Sequence, residues 1–347
     1  MLRWVWFWFV LRHRRTYTYV ALVSSLSLPA SSLHKRTDHE ERIQECTAES
    51  HSSQHATKHR PSSMGLSKWF HPLTAQKTED GTYDPSPFTL TLGTQSKTSY
   101  VAQEYEAKYT GNKPILVVCT DDGKMKMKND KVFNTGNHPI EMFLPMLHFR
   151  DAGFTFDIAT ASGGAVVLEM WAYPTKDEHV KSLHESVQSM MEKPKKLADI
   201  ESLDGYAAIF IPGGHGAMVN LPFDPNLGRL LHEAHDKQLP TVTLCHGPAT
   251  LLATKVEGTG KEFAYQGYKS VCFTDKTDGT TPSFGYLPGQ MPWKCQEALE
   301  KEGIEIINTS ETGATKEDRE LITGDSPNAA HNLGVLAAPI LVKYHAE

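Results

Sequence analysis

The sequence predicts a three-layer α/β/α sandwich with a mostly parallel sheet and a small helical cap. From residue 113 onward, short continuous apolar runs alternate with longer segments that carry helix-capping residues. Such runs are typical of parallel strands buried on both faces, and the alternation favours a sheet covered by helices. The stretch 170–200 has a helical pattern outside this alternation, and we expect it to form the cap over the sheet.

The elements follow one another in a regular order. Residues 113–120 predict the first buried strand. Pro139, capped by Asn137 or His138, predicts a helix that continues to Gly153. Further strands are expected over 154–160, 206–212, 239–245, 269–273 and 304–308, which gives a sheet of six or more strands. Further helices are expected from Asp224 to about Lys237, from His246 onward and toward residue 341. Residues 274–292 are expected to form a long loop.

Composition limits the classes of function. The chain has 347 residues, 39% of them hydrophobic and 22% charged, which excludes collagen-like, coiled-coil and wholly disordered proteins. The net charge of −6 gives no indication of binding to nucleic acid or to an anionic membrane. The five cysteines are scattered and form no C-x-x-C pair, which is typical of a reduced intracellular protein.

Residues 1–63 differ from the rest and are treated as an N-terminal extension, targeting-like or disordered. Residues 64–347 are treated as one α/β domain. Up to residue 37 the extension is basic and has no acidic side chain, as in a mitochondrial presequence, and its apolar run 4–11 is too short to span a bilayer. Alternatively the mature protein begins near Met64, which favours the cytoplasm. Both locations stay open at this point.

Cys245 is the strongest candidate for a catalytic group. A strand runs into it and a helix follows at once, an arrangement that exposes the residue at a sharp turn. The N-terminus of that helix would favour the thiolate. Cys119 and Cys272 lie in apolar runs and are interpreted as buried packing residues, Cys295 is expected on a helix surface, and Cys46 lies in the extension.

His246 follows Cys245 directly, so at such a turn its imidazole could take the thiol proton. Glu141 lies in the first turn of the helix after the first strand and should face the same edge of the sheet, although a carboxylate there also simply favours the helix dipole. In the loop 274–292, Asp275 or Asp278 could orient a histidine, and the residues alone do not choose between them.

Gly213, Gly214 and His215 follow another buried strand and, with Gly216, predict a nest of backbone N–H groups that could bind an oxyanion. The alternative is an ordinary glycine-rich turn. The spacing fits neither a dinucleotide fingerprint nor a phosphate loop.

Four motifs in order resemble the ThiJ/PfpI superfamily. They are 134–141 (NTGNHPIE), 212–216 (PGGHG), 244–248 (LCHGP) and 323–327 (TGDSP). Within it, they resemble the heat-shock class, the glutathione-independent glyoxalases, also called glyoxalase III or D-lactate dehydratase, and the resemblance covers about residues 100–347.

This resemblance implies a flavodoxin-like sandwich, usually a homodimer, that needs no cofactor. It implies a triad of Cys245, His246 and Asp278, with Glu141 as the acid or base hydrogen-bonded to the thiol. It also implies that the backbone N–H groups of Gly214 and His246 form the oxyanion site.

Some bacterial members of the class carry a metal site of two histidines and one carboxylate near the cap. The corresponding positions here hold Arg150, Thr155 and Val187, so no metal is expected. His148 and His184 are near these positions but do not match them, and they are interpreted as surface or packing residues.

The expected function is conversion of methylglyoxal and related 2-oxoaldehydes to D-lactate or other 2-hydroxy acids, with the Cys245 thiolate forming a hemithioacetal. A first alternative is removal of dicarbonyl adducts from proteins or nucleotides. A second is a holdase chaperone that binds unfolded clients near Trp171, Tyr173 and the pair Met190 and Met191, although such a cluster is more often core. Peptidase or amidase activity is a weaker option.

Overall fold

The computed structural model describes residues 73–256 and 262–346, and the predicted extension, including Cys46, lies outside the described residues. The strands are β1 (Gln76–Lys77), β2 (Tyr83–Asp84), β3 (Ile115–Cys119), β4 (Lys124–Lys126), β5 (Val132–Asn134), β6 (Phe156–Thr160), β7 (Lys195–Lys196), β8 (Ala208–Ile211), β9 (Thr241–Leu244), β10 (Lys269–Ser270), β11 (Glu305–Ile306), β12 (Thr315–Asp318) and β13 (Leu321–Gly324). The α-helices are α1 (Pro87–Gly93), α2 (Pro139–Asp151), α3 (Glu178–Glu192), α4 (Pro225–Asp236), α5 (Asp275–Thr280), α6 (Cys295–Lys301) and α7 (Ala330–Tyr344). Short 3₁₀-helices occupy Met170–Ala172, Leu197–Asp199, His215–Met218, Leu221–Phe223, Gly247–Lys255, Thr281–Phe284 and Pro327–Ala329.

A seven-stranded sheet forms the centre, in the order β12-β13-β9-β8-β3-β6-β7. All neighbouring pairs are parallel except β12 with β13. Strands β3, β8 and β9 are buried along their whole length, as their continuous apolar runs predict. A separate four-stranded sheet has the order β1-β2-β5-β4.

Successive side chains of β3 enter two different cores, which makes the molecule a three-layer sandwich. Ile115 and Val117 pack in the core that contains the buried faces of α2, α3 and α7. Leu116 and Val118 pack in the other core, with α4, α6 and Gly247–Lys255. The predicted fold is confirmed, because side chains alternate between the faces of a sheet and both faces here are covered.

Helix α2 begins and ends where the sequence predicts. Pro139 is in its first turn, His138 precedes it without a side-chain cap, and the chain leaves the helix at Gly153, whose φ is 98°. The helix continues through Pro145, and its residues 139–149 are all buried. Asp224 caps α4 as expected, since its carboxylate accepts two backbone N–H groups of the first turn.

The prediction that 269–273 and 304–308 complete the central sheet is wrong. Instead, β10 and β11 pair only with each other in the described part of the chain, and β13 and β12 complete the sheet beside β9. Side chains cap the backbone beyond β10: Thr323 accepts the Val271 N–H at 3.1 Å and Asn308 accepts the Cys272 N–H at 3.1 Å. These bonds take up the N–H groups that a longer ladder would use.

The stretch 170–200, expected as a cap insertion, contains α3, which connects β6 to the edge strand β7 and so belongs to the sandwich. Met191 is buried in the α2 side of the core, and Tyr173 and Met190 pack against it. Trp171 packs against the other core. The cluster considered for unfolded clients is therefore mostly core material.

Cys295 was expected on a helix surface, and this prediction is wrong. Its side chain is fully buried at the start of α6, in the same core as Cys272. No helix in 73–256 or 262–346 has the length and apolar character needed to cross a membrane.

Candidate active site

Cys245 lies at a strained turn at the carboxyl end of β9. Its φ is 58°, a left-handed conformation that costs a non-glycine residue about 1–3 kcal/mol. Two hydrogen bonds hold the backbone there: its N–H donates to Gly324 O at 2.8 Å, and its carbonyl accepts from Phe273 N–H at 2.9 Å. The side chain is only 4% exposed. The predicted sharp turn is therefore present, but the exposure expected at its apex is wrong, because Cys245 is buried there.

Glycine is required at two positions beside the thiol. A Cβ atom at Gly213 would lie 2.1 Å from Glu141 Oε2 and 2.7 Å from Cys245 Cβ. A Cβ atom at Gly214, whose φ is 97°, would lie 2.4 Å from Gly136 O. The pair thus allows the Glu141 carboxyl group and the thiol to come together.

The predicted nest supplies one donor that faces the reacting atoms. The backbone N–H of Gly214 interacts with both Cys245 and Glu141 and favours their ionised forms. The other predicted oxyanion donor, the backbone of His246, lies at the N-cap of the 3₁₀-helix Gly247–Lys255.

Cys245, His246 and Asp278 form a connected chain of side chains. Cys245 Sγ is 3.3 Å from His246 Nδ1, and His246 Nε2 is 2.9 Å from Asp278 Oδ2. Because the carboxylate must accept from a ring N–H, Nε2 carries the proton in neutral His246 and Nδ1 is free to take the thiol proton.

His215 bonds to the same carboxylate, a role that sequence reasoning missed. Its Nε2 is 3.0 Å from Asp278 Oδ1, and its ring centroid is 4.0 Å from that of His246. Burial alone would raise the pKa of Asp278, but His246 and His215 hold it well below its ordinary value. The carboxylate is therefore ionised between two imidazoles.

A second carboxylate fixes the short helix that carries Asp278. Glu311 accepts the Thr274 N–H at 2.8 Å and the hydroxyl groups of Thr274 and Thr277 at 2.6 Å, and so holds the start of α5. Asp275 accepts two backbone N–H groups at the start of α6, at 3.0 and 2.8 Å. The structure thus separates the two candidate aspartates: Asp278 faces the histidines, and Asp275 caps a helix.

Glu141 is fully buried beside the thiol. Neither carboxyl oxygen has a well-aligned hydrogen bond within the described ranges, and the Cys245 thiol and the Gly214 N–H are beside them. Burial raises the pKa of Glu141 well above its usual range, and these two neighbours offset only part of that effect. Burial therefore favours the protonated, neutral form of Glu141.

Burial also raises the pKa of Cys245 well above its ordinary value, with Glu141 as the next cause. The lowering expected from the following helix does not outweigh the loss of solvent. The resting group is a thiol, and it needs a base such as His246 to become a nucleophile.

Glu169 and Tyr286 also belong to the pocket, although sequence reasoning did not select them. Glu169 is 1% exposed, and its Oε1 accepts the Thr135 hydroxyl at 2.7 Å. Tyr286 lies at an aromatic roof, with its ring 5.6 Å from Trp171 and 5.7 Å from His215. A single glutamate inside the apolar run 165–172 was the available signal for Glu169.

One group in the described part of the chain could in principle hold a metal ion: His215, His246 and Asp278, whose ligand atoms lie within 4.8 Å of one another. A metal there would have to replace the hydrogen bonds that orient His246, which fits a catalytic triad better than a metal centre. Three positions correspond to the metal ligands of some bacterial members of the class. Of these, Arg150 and Thr155 are exposed, and Val187 is buried in α3.

The sequence matches the model of the DJ-1/PfpI family over residues 132–276. A protein/nucleic acid deglycase HchA of Pseudomonas aeruginosa is 43% identical over 279 residues, which cover 79% of this chain and 96% of that protein. The chain belongs to the DJ-1/PfpI family. A deglycase of the same name from Staphylococcus aureus is 40% identical over 271 residues, covering 76% of this chain and 92% of the relative.

Solved structures agree with the DJ-1/PfpI fold. The Rapid Encystment Protein of Francisella tularensis has a TM-score of 0.56 at 21% identity and covers 66% of this chain and 99% of its own. Glyoxalase III from Candida albicans has a TM-score of 0.52 at 23% identity, and the match covers 65% of this chain and 96% of that protein. At these identities the likeness concerns the fold, and it confirms the flavodoxin-like α/β architecture of the family.

Proposed function

We propose that this protein is a glutathione-independent glyoxalase, which converts methylglyoxal and related 2-oxoaldehydes to D-lactate or other 2-hydroxy acids. The observation that carries the proposal is one buried pocket that joins a thiol, its base and a neutral acid. Cys245 Sγ is 3.3 Å from the free nitrogen of His246, and Glu141 adjoins the same sulfur. These groups can carry out an internal redox reaction without a nicotinamide.

The reaction starts with transfer of the thiol proton from Cys245 to His246 Nδ1, and Asp278 stabilises the resulting imidazolium. The sulfur adds to the aldehyde carbon, C1, and the new alkoxide takes a proton from neutral Glu141 beside the Gly214 N–H. The product is a hemithioacetal on Cys245 with Glu141 now ionised.

The hydrogen on C1 must then move to the ketone carbon, C2, through an enediol, with Glu141 as the base that removes it and the acid that returns it. This leaves a thioester on Cys245. Water attacks the thioester, Glu141 takes the proton of the water, and His246 returns its proton to the departing sulfur. The 2-hydroxy acid leaves, and all three groups return to their starting states.

Burial of the nucleophile favours a small substrate. Cys245 is 4% exposed, and the rings of Phe133, Trp171 and Tyr286 meet above the site with centroids 5.6 to 6.3 Å apart. A three-carbon aldehyde requires less opening of this roof than a modified side chain on a folded protein does.

Deglycation is the second candidate, because the relatives at 40% and 43% identity are named protein/nucleic acid deglycases. The same thiol would attack a dicarbonyl adduct on an amine and release the amine. The net charge of −6 favours small or protein-borne adducts over adducts on nucleic acid.

The direct test incubates the full-length protein with methylglyoxal, without glutathione or added metal, and follows D-lactate. Cys245→Ala should make none, while Cys272→Ala, which removes another buried thiol, should keep the activity. D-lactate from the Cys245 variant would refute covalent catalysis, and no D-lactate from the folded parent would refute the glyoxalase proposal.

A scavenger separates the two candidates. Glycated N-acetyl-lysine is presented after free methylglyoxal has been removed by an excess of a reactive amine. Recovery of the free lysine derivative at an unchanged rate would favour true deglycation. If no free lysine derivative is recovered while the scavenger is present, the protein only consumes free aldehyde.

The oligomeric state and the location of the protein are also proposals. We propose a homodimer, which analytical ultracentrifugation of the full chain checks directly. We propose a cytoplasmic location, with mitochondrial import as the alternative if residues 1–63 act as a presequence; a fluorescent fusion with and without these residues separates the two.

A further inference from the structure

Glu169 lies on a segment that is bonded to the residues just before α2. Its backbone N–H donates to Asn137 O at 3.0 Å, and the preceding residue Leu168 forms a parallel bridge to Asn137. Asn137 stands two residues before α2, which carries Glu141. The segment that holds Glu169 is thus fastened to the start of the helix that supplies the first catalytic acid.

The Glu169 carboxyl group is only half satisfied. Oε1 accepts the Thr135 hydroxyl at 2.7 Å, but Oε2 is buried without a well-aligned hydrogen bond among the described residues, and the His215 N–H is beside the carboxyl group. A buried oxygen left in this state costs about 1–3 kcal/mol. Such a cost is tolerated most often where a ligand completes the bonding.

Unsatisfied groups of this kind gather at one place. Within 73–256 and 262–346, the buried side-chain atoms without a well-aligned partner belong to His138, Glu141, Glu169 and Thr243. His138 donates its backbone N–H to Gly213 O at 3.0 Å, and Thr243 lies two residues before the nucleophile. Glu141 is beside the thiol, and both His138 and Glu169 interact with His215, so these three residues lie near the reacting side chains, as expected for a site that binds a polar substrate.

Glu169 interacts directly with the groups of the reaction pocket. Its charge is felt by Glu141 and by the Tyr286 hydroxyl, and His215 faces it with both its ring and its backbone N–H. The same Tyr286 hydroxyl is influenced by Cys245. Glu169 and the thiol are therefore neighbours of one common group, and His215 connects Glu169 to Asp278.

Glu169 has acid–base properties suited to proton transfer. Burial raises its pKa to about 7, against the opposing effects of His215 and the Thr135 hydroxyl. A carboxyl group that titrates near neutral pH can both give and take a proton during turnover.

We propose that Glu169 is a second catalytic acid–base residue, which binds the C2 carbonyl oxygen of a 2-oxoaldehyde and moves the proton on and off the enediol. This inference rests on the proposed glyoxalase function. It assigns the group that must protonate the C2 oxygen while Glu141 works on the carbon atoms.

The step balances with these two carboxyl groups. From the hemithioacetal, ionised Glu141 removes the C1 proton, the C–H electron pair forms the C1=C2 bond, and the C2 oxygen takes the proton of Glu169. Glu141 then returns its proton to C2. The C1 hydroxyl gives its proton to Glu169, which leaves the thioester on Cys245. C1 is oxidised and C2 is reduced, so no external oxidant or reductant is consumed.

The test compares the full-length parent with Glu169→Gln, which keeps the shape and the Thr135 bond but cannot exchange a proton. We expect kcat with methylglyoxal to fall by about 100-fold or more, with KM little changed. The rate at which iodoacetamide alkylates Cys245 should be unchanged, because the thiol and its base are intact. Glu185→Gln, an exposed change on α3, is the matched control and should behave as the parent.

The pH profile separates proton transfer from a structural effect. Since Glu169 must be neutral to donate, kcat of the parent should fall as the pH rises through about 7. Glu169→Gln should lose this limb. Thr135→Val removes the bond that stabilises ionised Glu169, so it should move the limb to higher pH, and this variant decides the matter if Glu169→Gln does not fold.

The outcomes are distinct. A parent that makes D-lactate while Glu169→Gln keeps its kcat and pH profile would overturn the inference and leave the proposed function standing. A limb that Thr135→Val does not move would likewise overturn it. A folded parent that makes no D-lactate would overturn the proposed function and the inference together.

Discussion

Around Cys245 there are two kinds of carboxyl group, and all three groups are nearly closed to solvent. Asp278 is hydrogen-bonded to two histidine rings, whereas Glu141 and Glu169 have no side-chain hydrogen bond to a histidine among the described residues. Asp278 is held by two imidazoles at 2.9 and 3.0 Å, and its pKa lies well below the ordinary value. At Glu141 no histidine offsets burial, and at Glu169 the nearby His215 offsets only part of it, so burial raises both pKa values. Similar burial is thus accompanied by opposite shifts of the pKa, and the neighbouring groups decide the direction.

This difference divides the chemistry of the pocket. In the proposed reaction, ionised Asp278 stabilises a positive imidazole and so lets His246 accept the thiol proton. The neutral side offers acids at the atoms where negative charge develops on the substrate. The thiol can thus be activated by His246, which Asp278 supports, while Glu141 and Glu169 protonate the adduct that the thiol forms.

The largest effect is expected from Asp278→Asn, which removes the charge from the paired side. The triad loses its orienting carboxylate, so kcat/KM with methylglyoxal should fall by about 10³-fold or more. The bonds to both histidines weaken, and the free energy of unfolding should fall by about 2 kcal/mol. Steady-state kinetics and urea denaturation check both effects.

Asp275→Asn is the control for that variant, because it weakens only the cap of α6. We expect a loss of about 1 kcal/mol in stability and activity close to that of the parent. Equal losses of activity in the two variants would contradict the assignment of Asp278 to the triad.

Glu141→Gln changes the unpaired side and should act in the opposite direction on stability. Activity should fall by about 100-fold or more, because Gln cannot exchange the proton. The pKa of Glu141 is higher in the folded state, so its contribution to stability is complete below an unfolded pKa of about 4.3 and is lost as pH rises toward the folded pKa. The variant should therefore gain stability over the parent as pH rises above about 4.3.

Glu233→Gln gives the matched comparison. Burial of Glu233 is outweighed by Lys237 and by two further donors, so its pKa is lowered in the folded state. Its stabilising contribution is present above the unfolded pKa and is lost on acidification, so this variant should be less stable than the parent at neutral pH. A shift of the same sign in both variants would break the comparison.

Gly213→Ala should give the smallest loss of rate among the variants of the site, because it forces the Glu141 carboxyl group away from the thiol. The added Cβ would lie 2.1 Å from Glu141 Oε2 and 2.5 Å from Leu244 O, so the carboxyl group must leave the thiol. We expect kcat to fall by about 10-fold and stability to fall by about 1–3 kcal/mol. Gly205→Ala, which meets no atom within 4 Å, should change neither quantity.

The sequence allowed the prediction of much of the fold and of the paired side of the pocket. Strand β9 running into Cys245, and His246 directly after it, are local features, so the turn and the thiol could be predicted from neighbouring residues. The choice of Asp278 over Asp275 needed the family resemblance, because both lie in one loop and only the packing of α5 separates them.

The rest depended on long-range contacts that no local pattern contains. Glu169 meets the pocket because its segment bonds to Asn137, and the ring of His215 turns toward Asp278 from a different strand end. The central sheet was completed by β13 and not by β10, since side chains take up the N–H groups beyond β10. Burial also raises the pKa of the Cys245 thiol, whereas the N-terminus of the following helix was expected to lower it.

Infrared difference spectroscopy at neutral pH tests the division of the pocket most directly, because the C=O stretch of a protonated carboxyl group is distinct from the bands of a carboxylate. We predict that the difference between the parent and Glu141→Gln contains a protonated-carboxyl band from the parent, and that the difference between the parent and Asp278→Asn contains none. A parent band that disappears in Asp278→Asn, or no band assignable to Glu141, would contradict a neutral acid beside the thiol opposite an ionised aspartate.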